Sequence, residues 1–209
     1  SNNISNVAKT DSSLTEDTNL SASGKMDVEA VATAALPAMV QLNGTTTVKS
    51  SSYFGYGQSY EATSSGTGII VGKSDTELLI VTNAHVVDNI DNLKCVFSDG
   101  TSASCSVKGS KSDQDIAVAA VSLSDISSDT ASNIAIAELE DSSDIKVGQQ
   151  VVAIGNALGE GQSVTTGIIS AKDRSITVNN VTFTGLLMTD AAINSGNSGG
   201  ALLNSEGKV

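Results

Sequence analysis

The sequence is poor in several residue types, and each shortage excludes a class of function. It contains one histidine and two cysteines, so a metal site built from several histidines is excluded within this chain. Lysine and arginine number 11 against 23 acidic residues, which gives a net charge of −12. Nucleic acids and anionic membrane surfaces both attract positive charge, so neither is an expected partner. No apolar run reaches the length of about 18 residues that a membrane-spanning helix needs.

Glycine is abundant, with 19 residues, whereas proline occurs once and tryptophan is absent. Together with many β-branched residues, this composition favours an all-β fold that is rich in tight turns. Apolar or alternating segments between turn residues are predicted to be strands, at residues 42–48, 68–71, 77–82, 93–97, 102–107, 116–122, 134–139, 151–154, 161–170, 175–178, 182–189 and 200–203. Many short strands indicate a sandwich or a barrel.

Four other segments have a different character. Residues 1–24 are polar and aperiodic, which predicts a disordered arm, and residues 50–65 are predicted to form a loop. Apolar residues recur at helical spacing over residues 26–40, where Pro37 should end the helix. Residues 124–132 are acidic and rich in serine, and we interpret them as linker. A domain break is expected shortly afterwards, near residues 140–144.

Both cysteines lie in a predicted hairpin around the turn Asp99-Gly100. A register that places Cys95 directly opposite Cys105 brings the apolar residues of both strands onto one face. Two alternatives stay open: a pair of thiols that fill the core, or a cross-strand disulfide, which would fit an extracytoplasmic location. A metal site made from these two residues alone is not expected.

The segment Gly196-Asn197-Ser198-Gly199-Gly200 carries the strongest chemical signal. A serine on a tight turn with small neighbours has an exposed hydroxyl, and backbone N–H groups can converge on one point beside it. A nucleophilic serine needs this geometry, because the amides must face the oxyanion that forms on attack. The alternative is a turn rich in glycine and serine that has no chemical role.

A serine hydroxyl also needs a general base at neutral pH, and His85 is the only histidine available. It follows the apolar run 79–82, and a structural histidine is the alternative. An acid at the head of an apolar strand can accept a hydrogen bond from an imidazole and fix its tautomer. Asp115 directly precedes the apolar residues 116–118, so we prefer it to Asp113, although either acid could lie on the surface.

These three motifs together resemble the HtrA/DegP group of trypsin-like serine proteases, in which histidine, aspartate and serine follow in this order. The resemblance covers about residues 28–209, and further matching segments lie at residues 65–71, 151–156, 163–170 and 189–194. Ala157, Ser195 and Ala201 stand where the group often has proline. These differences loosen turns but remove no chemical group.

The resemblance implies two antiparallel β-barrels of the chymotrypsin type, with the active site in the cleft between them. It divides the chain into a disordered polar linker (residues 1–27), an N-terminal barrel with a short leading helix (28–140) and a C-terminal barrel (141–209). The chain begins without methionine and ends in a strand-like segment. We therefore expect it to be a fragment whose second barrel is incomplete.

The resemblance also implies a catalytic triad of His85, Asp115 and Ser198, an oxyanion hole at Gly196, Asn197 and Ser198, and no metal or organic cofactor. Expected substrates are peptides and unfolded or damaged proteins. A homotrimer, a membrane anchor upstream, a PDZ domain downstream and a location in the cell envelope are further expectations from the group. Two alternatives stay open: a non-catalytic chaperone or peptide-binding module with this fold, and an acidic all-β adhesion module.

Overall fold

A computed structural model describes residues 4–6, 26–49, 59–156, 162–194 and 197–209. The strands are β1 (Ser5–Asn6), β2 (Met39–Lys49), β3 (Ser59–Lys73), β4 (Glu77–Thr82), β5 (Asn92–Val96), β6 (Ser102–Lys111), β7 (Ile116–Ser122), β8 (Ala135–Ile136), β9 (Gln150–Asn156), β10 (Gln162–Val178), β11 (Val181–Thr189) and β12 (Ala201–Leu203). The helices are α1 (Val28–Ala35), α2 (Ala84–Val87) and α3 (Ser128–Asn133), with 3-10 turns at Leu36–Ala38, Leu123–Asp125 and Ser142–Asp144.

Six antiparallel strands close into a barrel in the order β2-β3-β4-β7-β6-β5. Strand β2 closes it by pairing with β3 on one side and β5 on the other. Strand β4 alternates regularly, so that Leu78, Ile80 and Thr82 face the interior and are buried. Burying an aliphatic side chain of this size stabilises a fold by about 1.5–3 kcal/mol, so this period-2 pattern fixes which face of the strand lies inside.

The second sheet has four antiparallel strands in the order β11-β10-β9-β12. Its central strand β9 is buried along nearly its whole length. Strands β10 and β11 form a long hairpin whose register shifts three times between Ile169 and Ile176, and such irregularities bend a strand. The all-β prediction is confirmed, with one closed barrel and one curled, open sheet.

A shared apolar cluster joins the barrel to the second sheet. Met39 and Ile69 of the barrel pack there with Val152, Ile154 and Leu203 of the sheet, and all five side chains are buried. Helix α1 covers the same cluster and ends at Ala35, ahead of the proline, as predicted. The two halves are therefore held together by a continuous core, which fixes the cleft between them.

Some elements differ from the sequence-based predictions. Helix α3 lies in the segment interpreted as linker, and its N-cap Ser127 accepts a hydrogen bond from the Thr130 N–H. Strand β3 begins at Ser59, inside the predicted loop 50–65, and β10 is one strand where two were predicted. Within the expected disordered arm, Ile4 is buried in the barrel core and β1 pairs in parallel with β8. The domain boundaries remain predictions.

The register predicted for the cysteine hairpin is wrong by two residues. Cys95 pairs with Ala103, whereas Cys105 pairs with Leu93. The cause is the turn: it closes at Gly100, which has a φ of 82°, and the Phe97 N–H donates to the Thr101 carbonyl, so the loop is only residues 98–100 and is shorter than the predicted register requires. Both cysteines are free thiols, and Cys95 is fully buried.

Candidate active site

His85 is held at the mouth of the barrel by the end of β4. The strand stops at the buried Thr82, and Asn83 lies ahead of the single-turn helix α2, whose second residue is His85. Ala84 before the histidine and Val86 after it are both buried, so the backbone on either side of the histidine is fixed. The imidazole itself is open to solvent, with 57% of its side chain exposed.

The carboxylate of Asp115 contacts His85 through two groups. It accepts a hydrogen bond from the His85 backbone N–H at 3.0 Å, and its oxygens lie 2.8 and 3.0 Å from the ring Nδ1. A carboxylate at Nδ1 favours the tautomer that carries its proton there, which leaves Nε2 able to accept one. Asp113 lies instead 3.9 Å from the ammonium of Lys111, so Asp115 is the acid at the imidazole.

Asp115 has a backbone φ of 53°, in the left-handed region that residues other than glycine seldom adopt. It immediately precedes β7, and the Asn83 side-chain amide donates to its carbonyl oxygen at 2.8 Å. Strained backbone of this kind persists where surrounding contacts hold it. Here these contacts are the hydrogen bonds that aim the carboxylate at the imidazole.

Ser198 is joined to the barrel through the peptide bond that links it to Gly199. Its carbonyl accepts from the Thr67 N–H at 2.8 Å, and the Gly199 N–H donates to the Asn83 side-chain oxygen at 2.6 Å. Within the described residues, no hydrogen bond joins the Ser198 hydroxyl to His85. Such bonds are often long in the absence of substrate. Gly196 lies outside the described residues.

Asn197 anchors the same loop to the second sheet. Its side-chain oxygen accepts from the Ser163 hydroxyl at 2.9 Å, and its side-chain nitrogen lies 3.4 Å from the Ala192 carbonyl. A side chain on Gly155 would overlap Asn197, so that position in β9 requires glycine. Asn197 thus fixes the loop on the side of the second sheet.

Gly199 has a φ of 82°, which strains any residue with a side chain. A Cβ atom there would also collide with the Thr67 carbonyl and the Thr82 hydroxyl. Gly199 is therefore more than a small neighbour of Ser198. Because it has no side chain, the loop can lie directly against the barrel wall.

The chain matches the family of trypsin-like peptidase domains over residues 66–209. It is 37% identical over 182 residues to the serine protease Do-like HtrA of Bacillus subtilis (strain 168), a match that covers 83% of this chain and 39% of that protein. This chain is a trypsin-like peptidase domain of the HtrA/DegP type. It is also 38% identical over 155 residues to the periplasmic serine endoprotease DegP of Escherichia coli (strain K12), covering 74% of this chain and 31% of that protein.

Solved structures agree with this assignment. The HtrA-type protease AlgW with a tripeptide aligns with a TM-score of 0.69 at 32% identity, covering 87% of this chain and 52% of that one. A variant of AlgW with a decapeptide gives a TM-score of 0.73 at 31% identity, covering 87% and 56%. The fold is therefore the chymotrypsin-like double barrel, with an incomplete second barrel, as expected. The HtrA/DegP-type domain spans well under half the length of these two curated relatives.

In the described ranges, no helix of this HtrA/DegP-type domain is long and apolar enough to span a membrane. The same residues contain no group of three or more His, Cys, Asp and Glu side chains that could hold a metal ion. At the candidate site an imidazole and a carboxylate are in contact, and Asn83 links the serine loop to the carboxylate residue by hydrogen bonds. These groups are suited to proton transfer and nucleophilic attack.

Sequence reasoning missed the part played by Asn83. Its amide group bonds the backbone of Asp115 on one side and the backbone of Gly199 on the other. The available signal was the position of an asparagine between a buried strand and a one-turn helix, because the asparagine side chain can both donate and accept hydrogen bonds.

Proposed function

We propose that this HtrA/DegP-type domain is the catalytic part of a serine endopeptidase that hydrolyses peptide bonds in unfolded or damaged proteins. One observation supports it above the others: the carboxylate of Asp115 contacts both the backbone N–H and the ring Nδ1 of His85. An acid that lay on the surface without a role in the site would not be expected to contact both the backbone N–H and the ring of the same histidine. The loop of Ser198 is bonded to the same framework through Asn83.

In the proposed mechanism, Ser198 Oγ attacks the carbonyl carbon of the scissile peptide while His85 Nε2 takes the hydroxyl proton. Asp115 keeps the ring oriented and stabilises the imidazolium that forms. The C–N bond then breaks as the imidazolium returns its proton to the leaving amine. Water, deprotonated by His85, hydrolyses the acyl-enzyme and releases the serine.

The oxyanion is proposed to be held by the backbone N–H groups of Gly196 and Ser198, with Asn197 shaping the loop between them. The rigid attachment of Asn197 to Ser163 and Ala192 supports this assignment. Donors that are already fixed stabilise a developing charge without reorganisation, and one such donor contributes about 3–4 kcal/mol to transition-state stabilisation.

Partners and location are proposed from the relatives. The relatives from Salmonella typhimurium and Escherichia coli are named periplasmic serine endoproteases, and the relative from Haemophilus influenzae is named a probable periplasmic serine protease. We propose an extracytoplasmic location, with a homotrimer, a membrane anchor upstream and a PDZ domain downstream in the whole protein. The division into a linker (1–27), a first barrel (28–140) and a second barrel (141–209) belongs to the same proposal.

The test is covalent labelling by a fluorophosphonate, together with hydrolysis of a reduced, unfolded protein, in the intact protein. The wild type should label at one site, and Ser198→Ala should lose labelling and at least about a thousandfold of the hydrolysis rate. Ser104→Ala is the matched control, because Ser104 is an exposed serine on β6, away from the site.

Retained hydrolysis in Ser198→Ala would contradict the triad. A wild type that binds unfolded protein but neither labels nor hydrolyses would support the alternative, a non-catalytic chaperone or peptide-binding module.

A further inference from the structure

Thr67 lies in β3 and is fully buried, although its side chain is polar. A Cβ atom on either neighbour, Gly66 or Gly68, would meet side chains of the barrel core, so both glycines face the inside of the barrel. Successive residues of a strand face opposite sides. Thr67 therefore faces outwards, like Ile69, which packs in the apolar cluster shared with the second sheet. Its hydroxyl lies on the face of β3 that meets the second sheet.

The Thr67 hydroxyl accepts a hydrogen bond from the Asn156 backbone N–H at 2.7 Å. Asn156 is the last residue of β9, whereas the pairing of β9 with β12 ends two residues earlier, at Ile154 and Ala201. A backbone N–H that folding withdraws from water needs an acceptor. Here a side chain of the barrel supplies it, so this bond joins the end of β9 directly to the barrel.

The backbone of Thr67 bonds two further parts of the candidate site. Its N–H donates to the Ser198 carbonyl at 2.8 Å, and its carbonyl accepts from the Thr82 hydroxyl at 2.7 Å. Thr82 ends β4, and His85 follows in the next helix. One buried residue thus joins the serine loop, the strand that leads to the histidine and the second sheet.

The serine loop lies between two supports, and the Thr67 hydroxyl connects them. On the side of the second sheet, Asn197 lies against Gly155 so closely that a Cβ atom there would overlap it. On the side of the barrel, Ser198 is bonded to the Thr67 N–H. Asn156 follows Gly155 directly, so its bond to the Thr67 hydroxyl fixes the distance between the two supports. That distance sets where the serine lies relative to the imidazole.

We infer that Thr67 is a positioning residue of the proposed reaction, and that its hydroxyl holds the second sheet against the barrel at the distance that places Ser198 beside His85. The inference rests on the proposed endopeptidase function. Because Thr67 is fully buried, it cannot contact the substrate itself. A misplacement of about 1 Å in a reacting group costs about a hundredfold in rate. Loss of the hydroxyl should therefore slow the covalent step and leave substrate binding nearly unchanged.

The test compares Thr67→Val with Thr130→Val in the intact protein. Both threonines are buried, but the Thr130 hydroxyl bonds Thr101 and Ser127 instead of residues around the serine loop. Each substitution exchanges a hydroxyl for a methyl group and removes buried hydrogen bonds, so each should lower the midpoint of urea unfolding. The rate of fluorophosphonate labelling, and kcat and KM for an unfolded protein substrate, are measured without urea, where the variants are folded.

Thr67→Val should label about tenfold to a hundredfold more slowly than the wild type, and its kcat should fall by a similar factor with KM nearly unchanged. Thr130→Val should label at the wild-type rate. Thr67→Ser keeps a hydroxyl and should recover most of the labelling rate. Thr67→Ala removes the hydroxyl without placing a methyl group against the Asn156 N–H, and it should be slowed like Thr67→Val.

Wild-type labelling in Thr67→Val and Thr67→Ala, with lowered urea midpoints, overturns the inference and leaves the proposed function intact, because the hydroxyl would then only stabilise the fold. Equal slowing in Thr130→Val also overturns it, since the effect would then be one of general destabilisation. Thr67→Ser that labels as slowly as Thr67→Val shows that the hydroxyl is not the cause and overturns it too. A wild type that does not label at Ser198 contradicts the proposed function itself.

Discussion

Asn83 connects the acid and the serine loop through two hydrogen bonds that run in opposite directions. Its nitrogen donates to the Asp115 carbonyl at 2.8 Å, and its oxygen accepts from the Gly199 N–H at 2.6 Å. Asn83→Ala removes both bonds and leaves two partly buried backbone groups without these partners. Since one such bond contributes about 1 kcal/mol net, we expect the free energy of unfolding to fall by about 2 kcal/mol. That change corresponds to roughly a thirtyfold shift in the folding equilibrium.

The same substitution should also slow the reaction of Ser198, because Gly199 follows it directly. Without the bond to Asn83, the hydrogen bond between the Ser198 carbonyl and the Thr67 N–H still joins the loop to the barrel. A misplacement of about 1 Å in a reacting group costs about a hundredfold in rate. We therefore expect the rate of fluorophosphonate labelling to fall by about tenfold to a hundredfold.

Two measurements separate these effects. Urea unfolding gives the stability, and labelling in the absence of urea gives the reactivity of the folded protein. Asn92→Ala is the matched control, because Asn92 is exposed on β5 and its side chain forms none of the hydrogen bonds seen in the described part of the chain. Asn83→Asp keeps an acceptor for Gly199 but cannot donate to Asp115, so it should lose about half of the stability effect.

The reasoning is refuted if Asn83→Ala unfolds at a lower urea concentration yet labels at the wild-type rate. In that case Asn83 stabilises the fold without positioning the serine. It is also refuted if neither the stability nor the labelling rate changes, because the two hydrogen bonds would then contribute no more than hydrogen bonds to water would.

Three further predictions concern other residues. Gly199→Ala should abolish labelling and lower the unfolding midpoint, because its φ is strained for alanine; wild-type labelling would contradict the proposed loop geometry. The backbone hydrogen bond from Thr47 lowers the pKa of Asp91. The stability that the ionised Asp91 contributes is therefore present at pH values above the usual pKa of a carboxyl group and is lost on acidification. The difference in unfolding midpoint between the wild type and Asp91→Asn should therefore shrink between about pH 7 and pH 3, and a constant difference would argue against it. A hydrogen bond with Cys105 and burial raise the pKa of the Cys95 thiol, so iodoacetamide should modify Cys105 first and Cys95 only in urea, and equal rates would contradict this.

Elements specified by local pattern were predictable from the sequence. Strands β4 and β7 have the predicted bounds, 77–82 and 116–122, because both are apolar segments bordered by polar turns. The position of His85 after one strand and of Asp115 before the other follows directly from those bounds. Since β4 and β7 pair side by side in the barrel, the ends that carry the two residues meet.

The cysteine hairpin shows where local pattern fails. The apolar faces of β5 and β6 were assigned to one side, and a shift of two residues leaves each side chain on the face where it was. The partner of each residue nevertheless changed, because loop length sets the pairing and the turn that closes at Gly100 leaves only residues 98–100 between Phe97 and Thr101. Alternation therefore specifies the face, while the turn conformation specifies the register.

Helix α3 was missed for a related reason. Only Thr130 and Ala131 of its six residues are buried, so it carries almost no apolar periodicity. Its start is specified by the Ser127 cap, a signal that a serine-rich segment hides among many similar residues.

The parts of the site that the sequence could not supply are contacts between distant segments. The hydrogen bond from Gly199 to Asn83 spans 116 residues, and that from Asn156 to Thr67 spans 89. Neither hydrogen bond can be predicted from the spacing of residues in a single sequence, because each depends on how the second sheet docks on the barrel. That docking rests on the apolar cluster shared by Met39, Ile69 and the second sheet. Substitutions in the cluster should consequently disturb the serine loop without contacting it, so the packing between the two halves helps to set the geometry of the proposed catalytic site.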